Sequence, residues 1–176
     1  MTWVFIGGGV LIGVPLLATL VGVMLPRDHL AQMSIRLNAS PERVWSLVAD
    51  FNGTARWRPD VTAVEMEPSV DGRVRFVEVS RHGRTPFEVV AQEAPDKQVV
   101  RVVDAGLPYG GTWTWALMPT NPGTQVTISE AGFIRNPLFR VMSRLFFPPT
   151  ATMDRYLHAL ARELGEAVEA RVIRVR

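Results

Sequence analysis

The sequence predicts an α+β protein: one transmembrane helix, then an antiparallel sheet of seven strands packed against a long C-terminal helix. Three observations predict this class. The first 26 residues contain no charged side chain. Residues 61–133 form short β-like runs separated by turn signals, the pattern of antiparallel strands. From about Thr150 to Val172 the apolar residues return at helical spacing, with charged residues between them.

The N-terminal segment, residues 1–26, is predicted to be a membrane anchor. Residues 3–25 are uncharged and mostly apolar, and a helix of that length would span roughly 34 Å, enough to cross a bilayer. A signal peptide is disfavoured because a positive start, a short apolar run and a small-residue cleavage site are all missing. Arg27 and Arg36 follow the segment, so the positive-inside rule predicts a single-pass protein of the cell membrane with its C-terminal domain in the cytoplasm.

The remaining residues, 27–176, are predicted to form a single domain. The formal net charge is +2 and the arginines are scattered, so we expect no nucleic-acid binding. The chain has no Cys and its three His residues lack metal-ligand spacing, so we expect neither a metal nor a cofactor. Gly9 and Gly13 have a spacing that favours close helix approach, and a weak homodimer through the anchor is therefore one hypothesis.

The domain is predicted to open with a strand and a helix. The strand is indicated by alternation of apolar residues with more polar neighbours at Ala31, Met33, Ile35 and Leu37. A helix follows because Ser40 supplies a capping hydroxyl and Pro41 suits the first helical position. Its apolar stripe runs from Val44 to Phe51, and Gly53 ends it.

Six further strands are predicted next, bounded by turn residues at 71–72, 82–84, 95–97, 107–111 and 119–123. After Pro137 the helical spacing returns as a short amphipathic helix, which Pro148 and Pro149 break. The long helix from about Thr150 to Val172 is the last predicted element.

Strand, short helices, six strands and long helix is the order of the helix-grip fold, in which a curved antiparallel sheet wraps around the C-terminal helix. Residues 39–51 (ASPERVWSLVADF), continued by Trp57 and Pro59, resemble the opening of START-like (SRPBCC) domains, especially the polyketide cyclase/dehydrase and coenzyme-Q-binding branch. Residues 111–119 (GTWTWALMP) are similar to that family's last hairpin. The resemblance covers roughly residues 31–172. It implies a cavity between sheet and helix that holds lipids, quinones, sterols or polyketides.

We predict that the ligand contacts side chains of the sheet and of the long helix. These are Phe76, Phe87, Arg101, Trp113, Trp115, Leu117, Glu130, Leu157 and Leu160. The alternative is that the apolar members simply fill a core, since large aromatic side chains are usually core residues. A register slip of one residue would also swap the two sheet faces, so the sequence leaves open which face lines the cavity. Glu130 shares a strand face with Val126 and Ile128, so we expect it either to pair with Arg75 or Arg101 or to bind the polar head of a ligand.

Residues 135–147 form a second candidate segment, a cationic and aromatic amphipathic helix of the kind that lies in membrane interfaces. The predicted membrane contacts are Phe139, Arg140, Arg144, Phe146 and Phe147. Such a helix beside the cavity mouth would gate ligand exchange with the bilayer. The alternative is an ordinary connector that packs its apolar stripe on the domain.

Together these features predict a membrane-tethered domain that binds or transfers a hydrophobic small molecule, with membrane lipids as its other partner. One alternative is a cyclase/dehydrase-type enzyme acting on a bound polyketide-like substrate, with Glu130, Tyr109 or Arg101 as its acid or base. Another is a protein-interaction module with a vestigial cavity. The chain has no nucleophile or metal motif, which favours binding over catalysis without excluding an enzyme.

Overall fold

A computed structural model describes residues 13, 15–104, 106–146, 148–167 and 169–175. A helical segment of residues 15–24 comes first. The elements that follow are β1 (Asp28–Leu37), α1 (Pro41–Val48), α2 (Thr54–Trp57), β2 (Ala63–Val70), β3 (Arg73–Ser80), β4 (Gly83–Glu93), β5 (Lys97–Val102), β6 (Tyr109–Pro119), β7 (Thr124–Ile134), α3 (Pro137–Phe146), α4 (Pro149–Glu163) and β8 (Arg171–Val175).

Each predicted turn joins two neighbouring strands, so β2 to β7 form a meander. The strands make one antiparallel sheet in the order β2-β3-β4-β5-β6-β7-β1-β8. The β1 strand closes on β7, with Ile35 opposite Val126 and Met33 opposite Ile128. Together with the C-terminal helices this is the predicted α+β helix-grip architecture.

The sheet has eight strands rather than the predicted seven, and the last helix is shorter than predicted. Helix α4 ends at Glu163, and Gly165 adopts a φ of 75°, a left-handed conformation that ends the helix. The chain then returns as β8, which pairs antiparallel with the free edge of β1. The sequence predicts a helix that continues past Gly165 because Val172 also fits the helical period. Val168, on the same predicted stripe, lies outside the described residues.

Helix α1 begins as predicted. The side chain of Ser40 accepts a hydrogen bond from the backbone N–H of Arg43, and Pro41 occupies the first turn. Val44 and Val48 face inward from it. The helix therefore joins the core that lies between the sheet and α4.

The core lies on one face of the sheet, which we call the helix face. Helix α4 buries Met153, Leu157 and Leu160 completely against it. From the sheet, Ile35 and Val126 contribute side chains exposed by 2 % or less. Burial of apolar side chains of this size stabilises the domain by about 1.5–3 kcal/mol each.

Half of the predicted anchor, residues 1–12 and 14 of the segment 1–26, lies outside the described residues. In the part of the chain that the structure describes, no helix has both the length and the apolar character needed to cross a bilayer. Residues 15–24 are helical. Their exposed apolar side chains are Leu16, Leu17, Leu20, Val21, Val23 and Met24.

Candidate functional site

The strand register decides which predicted ligand contacts share the helix face. Trp113 lies opposite Val100 on β5 and opposite Glu130 on β7. Directly opposite residues of antiparallel strands point to the same side. The same pairing continues outward, with Phe87 opposite Val102 and Phe76 opposite Phe87. The helix face therefore carries all the predicted sheet contacts except Arg101: Phe76, Phe87, Trp113, Trp115, Leu117 and Glu130.

Five of the predicted contacts are packed in the core. Their exposed fractions are 3 % for Phe76, 7 % for Trp115, 2 % for Leu117, and 0 % for both Leu157 and Leu160. Trp115 lies against Tyr156 of α4, with ring centroids 5.6 Å apart. Their packing matches the alternative that these side chains fill a core, and their role as ligand contacts stays a prediction.

Two predicted apolar contacts lie beyond this packed region. Trp113 and Phe87 are half-buried and only border the core cluster. We call this part of the helix face, which also includes Glu130, Thr85 and Tyr109, the open end. Here the apolar surface of the sheet continues past the side chains that α4 buries.

The open end carries a polar pair that the sequence did not predict. The Oε1 atom of Glu130 lies 3.2 Å from the Nε2 atom of His29, and the two side chains are 18 % and 15 % exposed. His29 lies opposite Gly132 on β7. The alternation that begins at Ala31 extends back to His29, which is the signal that would have placed its ring on this face.

A glycine makes room for this pair. A Cβ atom built on Gly132 would lie 2.5 Å from Cε1 of His29 and 3.0 Å from Oε1 of Glu130. Any larger residue would therefore require the imidazole to move. The contact between the two polar side chains depends on a residue without a side chain.

The predicted pairing of Glu130 with Arg75 or Arg101 is wrong. Both arginines lie on the outer face of the sheet, where they bind Glu88: Nη2 of Arg75 is 2.8 Å from Oε2, and Nη2 of Arg101 is 2.7 Å from Oε1. Arg73 is a third partner, at 3.1 Å. The hydrogen bonds from Arg75 contribute most to holding the pKa of Glu88 below its usual value. Arg101 therefore does not line the helix face.

Helix α3 borders the open end. The hydroxyl of Tyr109 lies 3.2 Å from Oγ1 of Thr85, and the Tyr109 ring is stacked on Phe139 of α3 with centroids 6.1 Å apart. The guanidinium of Arg135 donates to the carbonyl of Leu107 at 3.1 Å. These contacts hold α3 next to the open end.

The predicted membrane contacts on α3 have different environments. Arg140 is only 9 % exposed and donates to backbone carbonyls, so its guanidinium is not available to lipid headgroups as predicted. Phe139 faces Tyr109. Arg144 is exposed and Phe146 is 61 % exposed, and Phe147 lies outside the described residues.

A buried ionic cluster ties α2 to the sheet and to α4. Arg58 binds Glu78 at 2.7 Å and Asp60 at 2.7 Å, and its guanidinium lies 5.1 Å from the ring centroid of Tyr156. Burial raises the pKa of the Tyr156 hydroxyl. The Nε1 atom of Trp115 is buried without a hydrogen-bond partner among the described residues. The charged groups of this cluster pair with one another, so the cluster stabilises the packed core.

Two clefts open on the surface near α4. One, of about 480 Å³, is lined by His158, Ala161, Arg162, Glu166, Ala167 and Glu169. The other, of about 310 Å³, lies between α2 and α4 next to Trp57 and Glu163. Neither is lined by a predicted ligand contact.

Solved structures with the same fold include a START superfamily protein and an aromatase/cyclase. A START superfamily protein from Mycobacterium smegmatis has a TM-score of 0.60 and 13% identity, over 78% of this chain and 97% of that one. The Zhui aromatase/cyclase from Streptomyces sp. R1128 has a TM-score of 0.63 and 12% identity, over 78% and 94%. At these identities the likeness shows the fold alone.

The di-domain ARO/CYC StfQ from the steffimycin biosynthetic pathway has a TM-score of 0.62 and 16% identity. The match covers 79% of this chain and 52% of that one, so this chain spans about half of the di-domain protein.

Sequence comparison gives a family. No curated protein matches the chain. A family model described as polyketide cyclase / dehydrase and lipid transport matches residues 28–165. That range runs from the start of β1 to just past α4 and includes strands β1 to β7. The protein therefore belongs to the polyketide cyclase/dehydrase and lipid transport family of START-like domains.

Proposed function

We propose that the protein binds a hydrophobic small molecule at the open end, with Trp113 and Phe87 as apolar contacts and the Glu130–His29 pair as the polar contact. The observation that carries the proposal is the position of the pair. Glu130 lies directly opposite Trp113 on a face that is otherwise mostly apolar. Binding sites for small molecules typically combine such an apolar lining with a few polar groups that orient the ligand.

The side chains of the open end define the ligand class. Covering Trp113 and Phe87 with an apolar ligand gains about 25 cal/mol per Å² removed from water. Imidazole and carboxylate together offer a donor and an acceptor. A flat or flexible apolar molecule with a carbonyl or hydroxyl group, such as a quinone, a lipid or a polyketide, satisfies both requirements.

The proposal includes a membrane tether formed by residues 1–26, with the domain on the cytoplasmic side. The absence of charged residues from this segment supports the tether, and Arg27 immediately after it supports the orientation. A tether holds the open end where apolar molecules are concentrated, which favours exchange of a lipid-like ligand with the bilayer.

Native mass spectrometry of the full-length protein, purified in detergent from membranes, tests the ligand. We expect a retained apolar molecule in the unmodified protein and its loss in Trp113→Ser. Met118→Ser is the matched control, because Met118 lies on the same strand and is 62 % exposed. An unmodified protein that carries no such molecule, and is not stabilised by quinones, fatty acids or aromatic polyketides, would contradict the proposal.

A second candidate function is catalysis on the bound molecule, and the Glu130–His29 pair favours it. A carboxylate next to an imidazole is a general base, able to take a proton from a carbon beside a ketone and leave an enolate. The test uses NMR to measure exchange of that proton for deuterium in a β-keto ester. If the protein is a catalyst, exchange is faster than in buffer, and Glu130→Gln removes the difference. Exchange at the buffer rate would contradict catalysis and leave binding as the proposed function.

A further inference from the structure

Helix α3 has its apolar side on the outside. Leu138, Met142, Leu145 and Phe146 are 38 %, 40 %, 68 % and 61 % exposed. They follow one another at intervals of four, three and one residues, which places them along one side of a helix. The residues that α3 buries are Arg140 and Ser143. A helix on the surface of a water-soluble domain normally shows the opposite arrangement.

The buried side of α3 holds the end of the N-terminal helical segment. Nη1 of Arg140 donates to the carbonyls of Gly22 and Leu25, each at 2.9 Å. The last carbonyls of a helix have no partner within it, and a cation is favourable at that end. Arg140 therefore caps the segment of residues 15–24.

The same guanidinium also binds the chain that leads into α3. Nε of Arg140 donates to the carbonyl of Ile134 at 3.0 Å, and Nη2 donates to that of Arg135 at 3.1 Å. One side chain thus joins β7, α3 and the N-terminal segment. Lysine, a point charge without the planar fork, does not reproduce this geometry.

The two helical segments are in close contact next to Arg140. A Cβ atom built on Gly22 would overlap the backbone carbonyl of Pro137, so the segments approach each other where only glycine fits. On its outer side the N-terminal segment exposes Leu16, Leu17, Leu20, Val23 and Met24. We call these residues, together with the exposed apolar residues of α3, the lipid face.

We propose that Arg140 fixes the N-terminal segment to α3, so that the lipid face meets a bilayer as one surface, with α3 in the boundary between headgroups and acyl chains and the N-terminal segment continuing from it into the acyl chains. The proposal rests on the proposed tether. A bilayer is favoured over a protein partner because the chain before the segment is uncharged and mostly apolar. After the C-terminal end of the segment, the guanidinium groups of Arg27 and Arg135 lie 5.1 and 4.9 Å from the centroid of the Phe133 ring. Anionic headgroups would meet them there.

This arrangement assigns Arg140 a positioning role. Phe139 of α3 is stacked on Tyr109 at the open end. Holding α3 in the bilayer therefore sets the height and orientation of the open end relative to the membrane. A ligand would then pass between bilayer and site along α3.

The naturally cysteine-free chain allows a direct test by site-specific labelling. The full-length protein carrying Leu145→Cys and an environment-sensitive fluorophore is reconstituted into vesicles of phosphatidylcholine and phosphatidylglycerol. Lipids with nitroxide groups on their acyl chains are the quenchers. Met118→Cys is the control site, since Met118 is similarly exposed but lies near the opposite end of β6. We expect several-fold stronger quenching at position 145 than at position 118.

Arg140→Ala and Arg140→Lys, each combined with Leu145→Cys, test the positioning role. We expect both to float with the vesicles while quenching at position 145 falls towards that at position 118. Unchanged quenching in both would overturn the role of Arg140. If either variant does not fold, the other decides the role of Arg140; if neither folds, the label on the otherwise unmodified chain still decides the surface.

The outcomes separate this inference from the tether. A protein that floats but shows no excess quenching at position 145 overturns the lipid face and leaves the tether intact. A protein that does not float with vesicles overturns the tether, and this inference with it.

Discussion

Trp113 and Trp115 are two residues apart on β6, with ring centroids 5.8 Å apart, but they lie in different environments. Trp115 is 7 % exposed and packs against Tyr156 of α4. Trp113 is half-buried and opposite Glu130. The boundary between the packed core and the open end falls between these two rings.

The two tryptophans should therefore respond differently to truncation. Trp115→Ala should lower the free energy of unfolding by about 3–5 kcal/mol, because it leaves a cavity in the core. Trp113→Ala should cost much less stability but abolish retention of the apolar ligand. Urea unfolding and native mass spectrometry of both variants measure the two effects. Equal losses of stability would show that Trp113 is also a core residue.

Gly132→Ala should separate His29 from Glu130. The added methyl group would lie within 2.6 Å of Nε2 of His29, and overpacking of this kind costs about 1–3 kcal/mol. In a His29→Ala background the same change should cost less, since the ring is gone. A double-mutant cycle by urea unfolding measures this coupling. Additive effects would show that the imidazole is not what Gly132 accommodates.

Glu166 should stabilise the fold by joining the chain after α4 to the loop after β1. Its Oε2 accepts from the backbone N–H of Asn38 at 2.7 Å, and its Oε1 accepts from that of Ala39 at 3.0 Å. Hydrogen bonds to a charged group are worth about 1.5–3 kcal/mol, and the partial exposure of Glu166 places Glu166→Ala nearer the lower value. Glu163→Ala, at an exposed position at the end of α4, should change stability by less than about 0.5 kcal/mol. Similar losses would argue against the link.

Glu88 should make stability depend on acid pH. Hydrogen bonds from Arg75 lower the pKa of Glu88 below its usual value of 4.5, so the folded state favours the carboxylate. The resulting stabilisation is present above that pH and is lost as the pH falls through the lowered pKa. Glu88→Gln should therefore reduce the loss of stability between about pH 5 and pH 3. Urea unfolding at several pH values across that range measures this loss. Glu67→Gln, at an exposed position on β2, is the control, and an equal effect there would contradict the role of Glu88.

Most of the fold could be predicted because the local signals are strong. The alternation of β1, the cap at Ser40 and the turn residues between 71 and 123 each specify structure within a few residues. β8 was missed for the opposite reason. Its pairing partner is the free edge of β1, more than a hundred residues earlier in the chain, and Val172 fits a helical period as well as a strand.

Local signals in the chain specify the antiparallel meander and the apolar character of the helix face, because periodicity and turn chemistry act between near neighbours. The family followed from the resemblance of residues 39–51 and 111–119 to known domains. Which polar groups meet depends instead on tertiary contacts. His29 and Glu130 are 101 residues apart, and Arg140 reaches a carbonyl 118 residues earlier. Contacts of that separation depend on strand order and helix docking. Arg140, which the sequence alone places on the surface, is therefore buried and caps the N-terminal helical segment.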